Sequence, residues 1–319
     1  MTALPGHDDA WREWHAAIGS ARMHHAWMLV GPRGIGKGVF ARLAAAQLVA
    51  EPGARQPSVE MHPDILIPEH PPENKDEAKK REDGQDYRRK RSIPIDEIRT
   101  VQHRLTTRPT LGSRRVVILD PADDLEKNAA NALLKSLEEP PVGTFFLLVT
   151  HRPGRLLPTI RSRCRMLRFA PLTDAEVDRV LRETAPQADA AARAAAVAAA
   201  KGSPGAALEF VMQDLGALHA LMLQLASDGD DHFALRGALA EELGTRPDRE
   251  RQQATIDLAC AVVSAGLGQD RRHDARAIAA HGELIKLSGQ LPTYNFDPGL
   301  VAMEIGALLA SLAMPRETA

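Results

Sequence analysis

A short apolar run, Ala26-Trp27-Met28-Leu29-Val30, leads directly into Gly31-Pro32-Arg33-Gly34-Ile35-Gly36-Lys37-Gly38 and then into a helical pattern carrying Phe40, Leu43 and Ala44. A glycine-rich turn between a buried strand and a helix N-terminus belongs to α/β architecture, in which helices cover a parallel sheet. The spacing G-x-x-x-x-G-K adds a chemistry. Backbone N–H groups and the positive end of the helix can cradle phosphates, and Lys37 can reach toward the β and γ oxygens. Gly31, Gly34, Gly36, Lys37 and Gly38 are therefore candidate nucleotide-site residues. The plainer alternative is a strand-to-helix turn that binds nothing.

Position 38 decides what such a site could catalyse. A working phosphate loop carries Ser or Thr after its lysine, because that hydroxyl ligates Mg²⁺, and Gly38 has no side chain. A second apolar run from Arg115 ends at Asp120, the carboxylate that would share the metal, but the next residue is Pro121. Many such enzymes have a glutamate there to polarise the attacking water. Asp123 and Asp124 stand at the wrong spacing and read as the opening of the next helix, where acids suit the positive end of the dipole. With metal hydroxyl and base both missing, hydrolysis by this chain's own site is expected to be very slow or nil.

Apolar runs at Asp64 to Ile67, Thr144 to Thr150 and Met166 to Phe169 bring the predicted strands to five, all read as buried parallel strands. Between them a helix is expected from Leu125 to Glu139, with Leu125, Ala129, Leu133 and Leu137 on one face and Pro140-Pro141 as its stop. Residues 1–169 are thus assigned to an α/β domain. After Phe169 no strand pattern follows. Thr173-Asp174-Ala175-Glu176 is a capping box, and an Ala-rich helix from Ala190 to Lys201 is capped by Asp189 and ended by Gly202-Ser203-Pro204-Gly205, giving a small helical domain over 170–207. Helical patterns at Leu215 to Leu225, Thr255 to Leu267 and Gly299 to Leu312 make 208–319 an all-α domain. A chain of 319 residues with 44% hydrophobic and 26% charged residues can supply a core for each part.

The stretch from Glu69 to Arg91 holds seven acidic and eight basic residues and almost nothing apolar, so it reads as a charged, flexible loop. Its block Arg88-Arg89-Lys90-Arg91 could touch nucleic acid, but a net charge of -2 argues against a generally basic binding coat.

The run Asn128-Ala129-Ala130-Asn131-Ala132-Leu133-Leu134-Lys135-Ser136-Leu137-Glu138-Glu139-Pro140-Pro141 resembles the AAA+ clamp-loader family. Thr150-His151-Arg152-Pro153 and the stretch from Arg155 to Cys164, with its Ser162-Arg163-Cys164, complete the likeness, which runs in order from His25 to Ala206. The resemblance implies an AAA+ P-loop domain, a helical lid and an all-α collar. It implies a hetero-pentameric loader, with ATPase subunits and a delta-type subunit as partners, that opens a ring-shaped sliding clamp and places it on primed DNA. This chain's part would be that of a stationary subunit. By the same resemblance, Arg163 would be an arginine finger delivered into a neighbour's ATP site, while Asp120 and Thr150 join the nucleotide site. On spacing alone, Arg161, Arg163, Arg165 and Arg168 read as a solvated basic edge.

Two departures from the family stand out. Many relatives carry a four-cysteine zinc module after the P-loop helix, but Glu51 to Met61 contains no cysteine, so zinc is not expected and no residue is assigned to a metal. Active loader ATPases sense nucleotide with a lid arginine, and Gly202-Ser203-Pro204-Gly205 supplies none. ATP or ADP binding is left open and hydrolysis is not expected. The rival readings are a self-sufficient motor-type ATPase and a DNA-binding regulator using Arg88 to Arg91.

Cys164 and Cys260 cannot build a disulfide framework, and Cys164 is read as a small core residue. The absence of a signal-like N-terminus or a long apolar span suggests a cytoplasmic protein without membrane contact. Trp11 and Trp14, three apart on a helical pattern, are read as a packed face rather than a platform for bases.

Overall fold

The computed structural model describes residues 6–313 except 21, 52, 54–55, 269–270, 292–293 and 295. It divides into two compact units, Met1–Pro171 and Leu172–Ala319.

The first unit is built on a parallel sheet of five strands among the described residues: β1 (Ala26–Val30), β2 (Ile65–Leu66), β3 (Arg115–Leu119), β4 (Thr144–Thr150) and β5 (Arg165–Arg168), in the order β2-β3-β4-β1-β5. β1 runs beside β4 from Ala26 opposite Phe146 to Val30 opposite Thr150, and beside β5 from Trp27 opposite Arg165 to Val30 opposite Arg168. Side chains alternate between the faces of a strand, and both faces here are buried. Trp27, Leu29, Val116, Ile118, Leu147 and Val149 fill one core, while Met28, Val117, Leu119, Phe146 and Leu148 fill the other. The helices of this unit are α1 (Asp8–Ile18), α2 (Lys37–Val49), α3 (Lys75–Glu82), α4 (Ile95–Leu105), α5 (Lys127–Glu138) and the single turn α6 (Pro158–Arg161). α1 and α2 cover the first core through Trp14, Phe40 and Leu48, and α4 and α5 cover the second through Ile98, Val101, Leu133 and Leu137. Trp14 is buried edge-on against Trp27, and Trp11 lies 4.2 Å from the Phe40 ring, so both tryptophans pack.

The structure corrects three sequence expectations. β5 is an edge strand in which Leu167 alone is buried, because β1 covers only one of its sides. The helix expected from Leu125 starts at Lys127, after a 3₁₀ turn at Ala122–Asp124. The stretch 69–91 is not a loop throughout. Asn74 caps α3 by accepting from the Glu77 amide at 3.0 Å, and Lys80 pairs with Glu77 at 2.7 Å, so local bonds replace the apolar contacts that the composition lacks.

The second unit is helical: α7 (Asp174–Thr184), α8 (Ala190–Ala200), α9 (Pro204–Met212), α10 (Gly216–Asp228), α11 (Ala234–Leu243), α12 (Arg249–Ala265), α13 (Arg271–Gln290) and α14 (Pro298–Ala310). One apolar core extends through it from Leu172 to Leu312. Five of these helices start on side-chain caps. Thr173 and Glu176 form the reciprocal box, and Asp189, Ser203, Asp248 and Asp297 each accept an amide of the first turn. Gly202-Ser203-Pro204 therefore ends one helix and begins the next, with Pro204 in the first turn where its missing N–H costs nothing. Among the described residues no single helix is long and apolar enough to cross a membrane.

Candidate functional site

β1 occupies the sheet interior, and the chain leaving its C-terminal end turns over the sheet edge into α2. Gly34 and Gly36 take left-handed φ values of 76° and 98°, open to glycine at little cost. At Gly31 a Cβ would stand 2.5 Å from the Phe169 carbonyl oxygen, so the turn is tight as well as strained. Lys37 opens α2 with its side chain folded inward, and Nζ donates to the carbonyls of Gly31 at 2.7 Å and Pro32 at 2.5 Å. Burial pushes its ammonium down to about 8, against the pull of the Asp120 and Asp123 carboxylates. The loop is also stapled from outside. His7 Nε2 donates to the Ile35 carbonyl at 2.6 Å, and its ring meets Phe169 edge-on. No sequence pattern flagged His7.

Asp120 follows β3 and reaches α2 at Gly38. There Arg42, one turn further along α2, donates from Nη1 to the Gly38 carbonyl at 3.1 Å and to Asp120 Oδ2 at 2.9 Å. A Cβ added at Gly38 would collide with Asp120 Oδ2 and stand 3.1 Å from Arg42 Nη1. The residues do not fit a Mg²⁺ site: position 38 offers no hydroxyl, and the carboxylate that would share the ion is neutralised by a guanidinium in contact with it.

Thr150 ends β4 beside the loop and is buried. Its hydroxyl donates to Asp123 Oδ1 at 2.6 Å, and the His151 amide donates to Asp123 Oδ2 at 2.6 Å. Asp123 therefore does not serve a helix start, as the sequence suggested. Its 3₁₀ turn aims it across the sheet edge, where it ties the end of β3 to the end of β4 and holds Thr150 in place. Asp124 pairs instead with His70 at 3.1 Å. The His151 ring is held neutral by burial first and by the Lys37 charge second, and its buried Nδ1 has no hydrogen-bond partner among the described residues. The loop residues Gly31, Gly34, Gly36, Lys37 and Gly38 thus converge with Asp120 and Thr150 at one end of the strands.

Arg163 lies at the opposite end of the strands. It precedes β5, whose Arg165 is level with Trp27, four residues of strand or roughly 13 Å before Gly31, so Arg163 stands at the opposite end of the strands from the loop. Arg163 Nη2 pairs with Glu138 Oε1 at 2.7 Å, and Nη1 donates to the Thr159 carbonyl at 2.9 Å, leaving the side chain partly exposed. The remaining arginines of this segment behave differently. Arg165 is held over the Trp27 ring and by Glu13 at 2.8 Å, and Arg161 turns back to the Pro153 carbonyl. The Cys164 thiol is pushed up to about 12 by burial, which makes it unreactive and fits its reading as a packing residue. Among the described residues no three His, Cys, Asp or Glu side chains converge as metal ligands.

The family model described as DNA polymerase III, delta subunit, matches residues 6–173. Over 162 residues the chain is 41% identical to DNA polymerase III subunit delta′ of Pseudomonas aeruginosa, a match covering 47% of this chain and 44% of that protein. Its counterpart in Escherichia coli is 43% identical over 126 residues, covering 39% and 37%. The chain matches less than half the length of these curated relatives. Among solved structures it is similar in fold to a DNA polymerase III gamma subunit-related protein of Thermotoga maritima, with a TM-score of 0.53, 18% identity, and coverage of 94% of this chain and 98% of that one.

Proposed function

From the premise that the chain belongs to the DNA polymerase III delta-subunit family, of the delta-prime-like kind, we propose that it is a stationary, non-hydrolysing member of a clamp loader that lends Arg163 to the ATP site of a neighbouring subunit. The observation that carries the reading is the separation between Arg163 and the chain's own phosphate loop. An arginine side chain does not span the roughly 13 Å or more of strand to its own loop, which supports a role for this guanidinium toward a phosphate brought by another chain. Its planar fork suits charge developing on a γ-phosphoryl group, and fingers of this type are worth about 10³ to 10⁵ in rate. Glu138 holds the guanidinium at the surface until a phosphate competes for it.

In this reading the loop at Gly31–Gly38 can still bind ATP or ADP but lacks the metal hydroxyl and the base. Residues 170–207 act as the lid and 208–319 as the collar through which the chain assembles with loader ATPase subunits and a delta-type subunit. Sliding clamp and primed DNA are reached through that complex in the cytoplasm. The first test is to mix the purified chain with those subunits and follow assembly by size-exclusion chromatography while measuring ATP turnover of the chain alone. Co-elution with no turnover above background is expected. Turnover by the isolated chain that Lys37→Ala abolishes would instead make it a self-sufficient ATPase.

A further inference from the structure

We propose that the phosphate loop of this chain takes up the polyphosphate of a nucleotide without a divalent cation, the Arg42 guanidinium supplying from within the chain the positive charge that Mg²⁺ supplies in a working site. The inference rests on the reading of Gly31–Gly38 as a nucleotide site and adds what that site demands of its ligand.

Space gives the first argument. A P-loop metal is held between the hydroxyl at the residue after the lysine and the carboxylate at the end of the neighbouring strand. Here those positions are Gly38 and Asp120, and they approach so closely that even a Cβ at 38 would strike Asp120 Oδ2. The guanidinium in contact with both is Arg42, on the same face of α2 as Gly38 and one turn along. Charge gives the second. Both of its bonds to Gly38 and Asp120 are made by Nη1, and a guanidinium carries five N–H donors, so the fork has donors to offer a phosphate while it stays anchored. Lys37 adds a second cation on the same helix, its Nζ donating to two carbonyls of its own loop and facing the charges of Asp120 and Asp123. The third argument is independent of both. His151 Nδ1 is buried without a hydrogen-bond partner among the described residues, within electrostatic reach of Lys37, Arg33, Asp120 and Asp123. With its proton on Nδ1, the neutral ring has a donor to give an anion there.

The test is isothermal titration of the full chain with ADP and with ATP, once in EDTA and once in MgCl₂, beside Arg42→Ala and Asp120→Asn. The unmodified chain should bind equally in the two buffers, within about twofold, and Arg42→Ala should lose about tenfold or more in EDTA. Asp120→Asn separates the alternatives even if Arg42→Ala folds poorly. Releasing Arg42 from its carboxylate should tighten binding in EDTA, whereas removing a metal-sharing carboxylate would weaken binding in MgCl₂. Binding that needs Mg²⁺, or that Asp120→Asn weakens, overturns the proposal and leaves the nucleotide reading intact. No binding in either buffer overturns the nucleotide reading itself, and this inference with it.

Discussion

Arg115 and Asp64 show how much of the chain a single buried pair can organise. Both side chains are almost fully enclosed, 3.1 Å apart. Arg115 also donates to the carbonyls of Arg104, Thr107 and Arg108, while Asp64 accepts the amides of Thr110 and Leu111 at 2.7 Å, so the turn between α4 and β3 is closed around them. Burial works against the charge on Asp64, but the two amides and the guanidinium outweigh it and hold its carboxyl below the usual range. Asp64→Asn leaves a buried guanidinium uncompensated and should cost about 3 kcal/mol in urea unfolding at neutral pH. A carboxyl with a lowered folded pKa contributes its stability above its unfolded value, and that contribution is lost as pH falls through the folded value. The gap between the two proteins should therefore narrow below about pH 4. A constant gap from pH 7 to pH 3 would contradict this account of the pair. The same residue scale explains what could be read of the site. Gly31 to Gly38 is legible because its residues are contiguous and backbone geometry dictates their types. Asp123, Arg42 and His7 act on partners 27, 78 and 28 residues away, across contacts that no local spacing encodes.

α3 and its flanks form an element that closes on itself. Pro72 and Arg89 are bridged as antiparallel neighbours, the Glu73 amide donates to the Arg88 carbonyl at 2.9 Å, and Glu77 accepts the Arg88 amide at 2.7 Å. Arg81 and Arg89 both face Glu69 and flank the Tyr87 ring. The bonds of 73–88 return to residues 69–90, so replacing 73–88 by two glycines between Pro72 and Arg89 should shift the melting temperature by less than about 3 °C. A drop several times larger would mean that this excursion supports the sheet. Elements of the core were more legible than this one. The strands of the sheet announce themselves as apolar runs because both faces are covered, and α7 and α8 through a Thr-x-x-Glu box and an Asp cap. α3 has no apolar periodicity to read, and α11 starts from a turn in which Asp230 gathers the amides of Leu235 and Arg236 after Phe233 adopts a left-handed φ of 59°. Such starts depend on side-chain bonds rather than on pattern.

At the scale of the whole molecule, the first unit presents two ends of one sheet with opposite chemistry. One end of the strands gathers the phosphate loop, with Arg42 bonded to Asp120, and the other carries Arg163, partly exposed and paired with Glu138. In the proposed function, a chain with this arrangement completes another subunit's ATP site rather than running its own. The Arg163–Glu138 pair is partly exposed and worth about 1 kcal/mol or less, so exchanging the carboxylate for a phosphate costs little. Arg163→Ala should for the same reason leave the melting temperature of the isolated chain nearly unchanged. Arg163→Lys should restore little in the complex, because an ammonium lacks the planar fork. The direct test of the central claim is steady-state ATP turnover and clamp loading by the reconstituted loader carrying Arg163→Ala, with assembly measured on the same samples. Intact assembly with turnover lost at one site and loading impaired is the predicted result; intact assembly with both activities equal to those of the unmodified complex would contradict it.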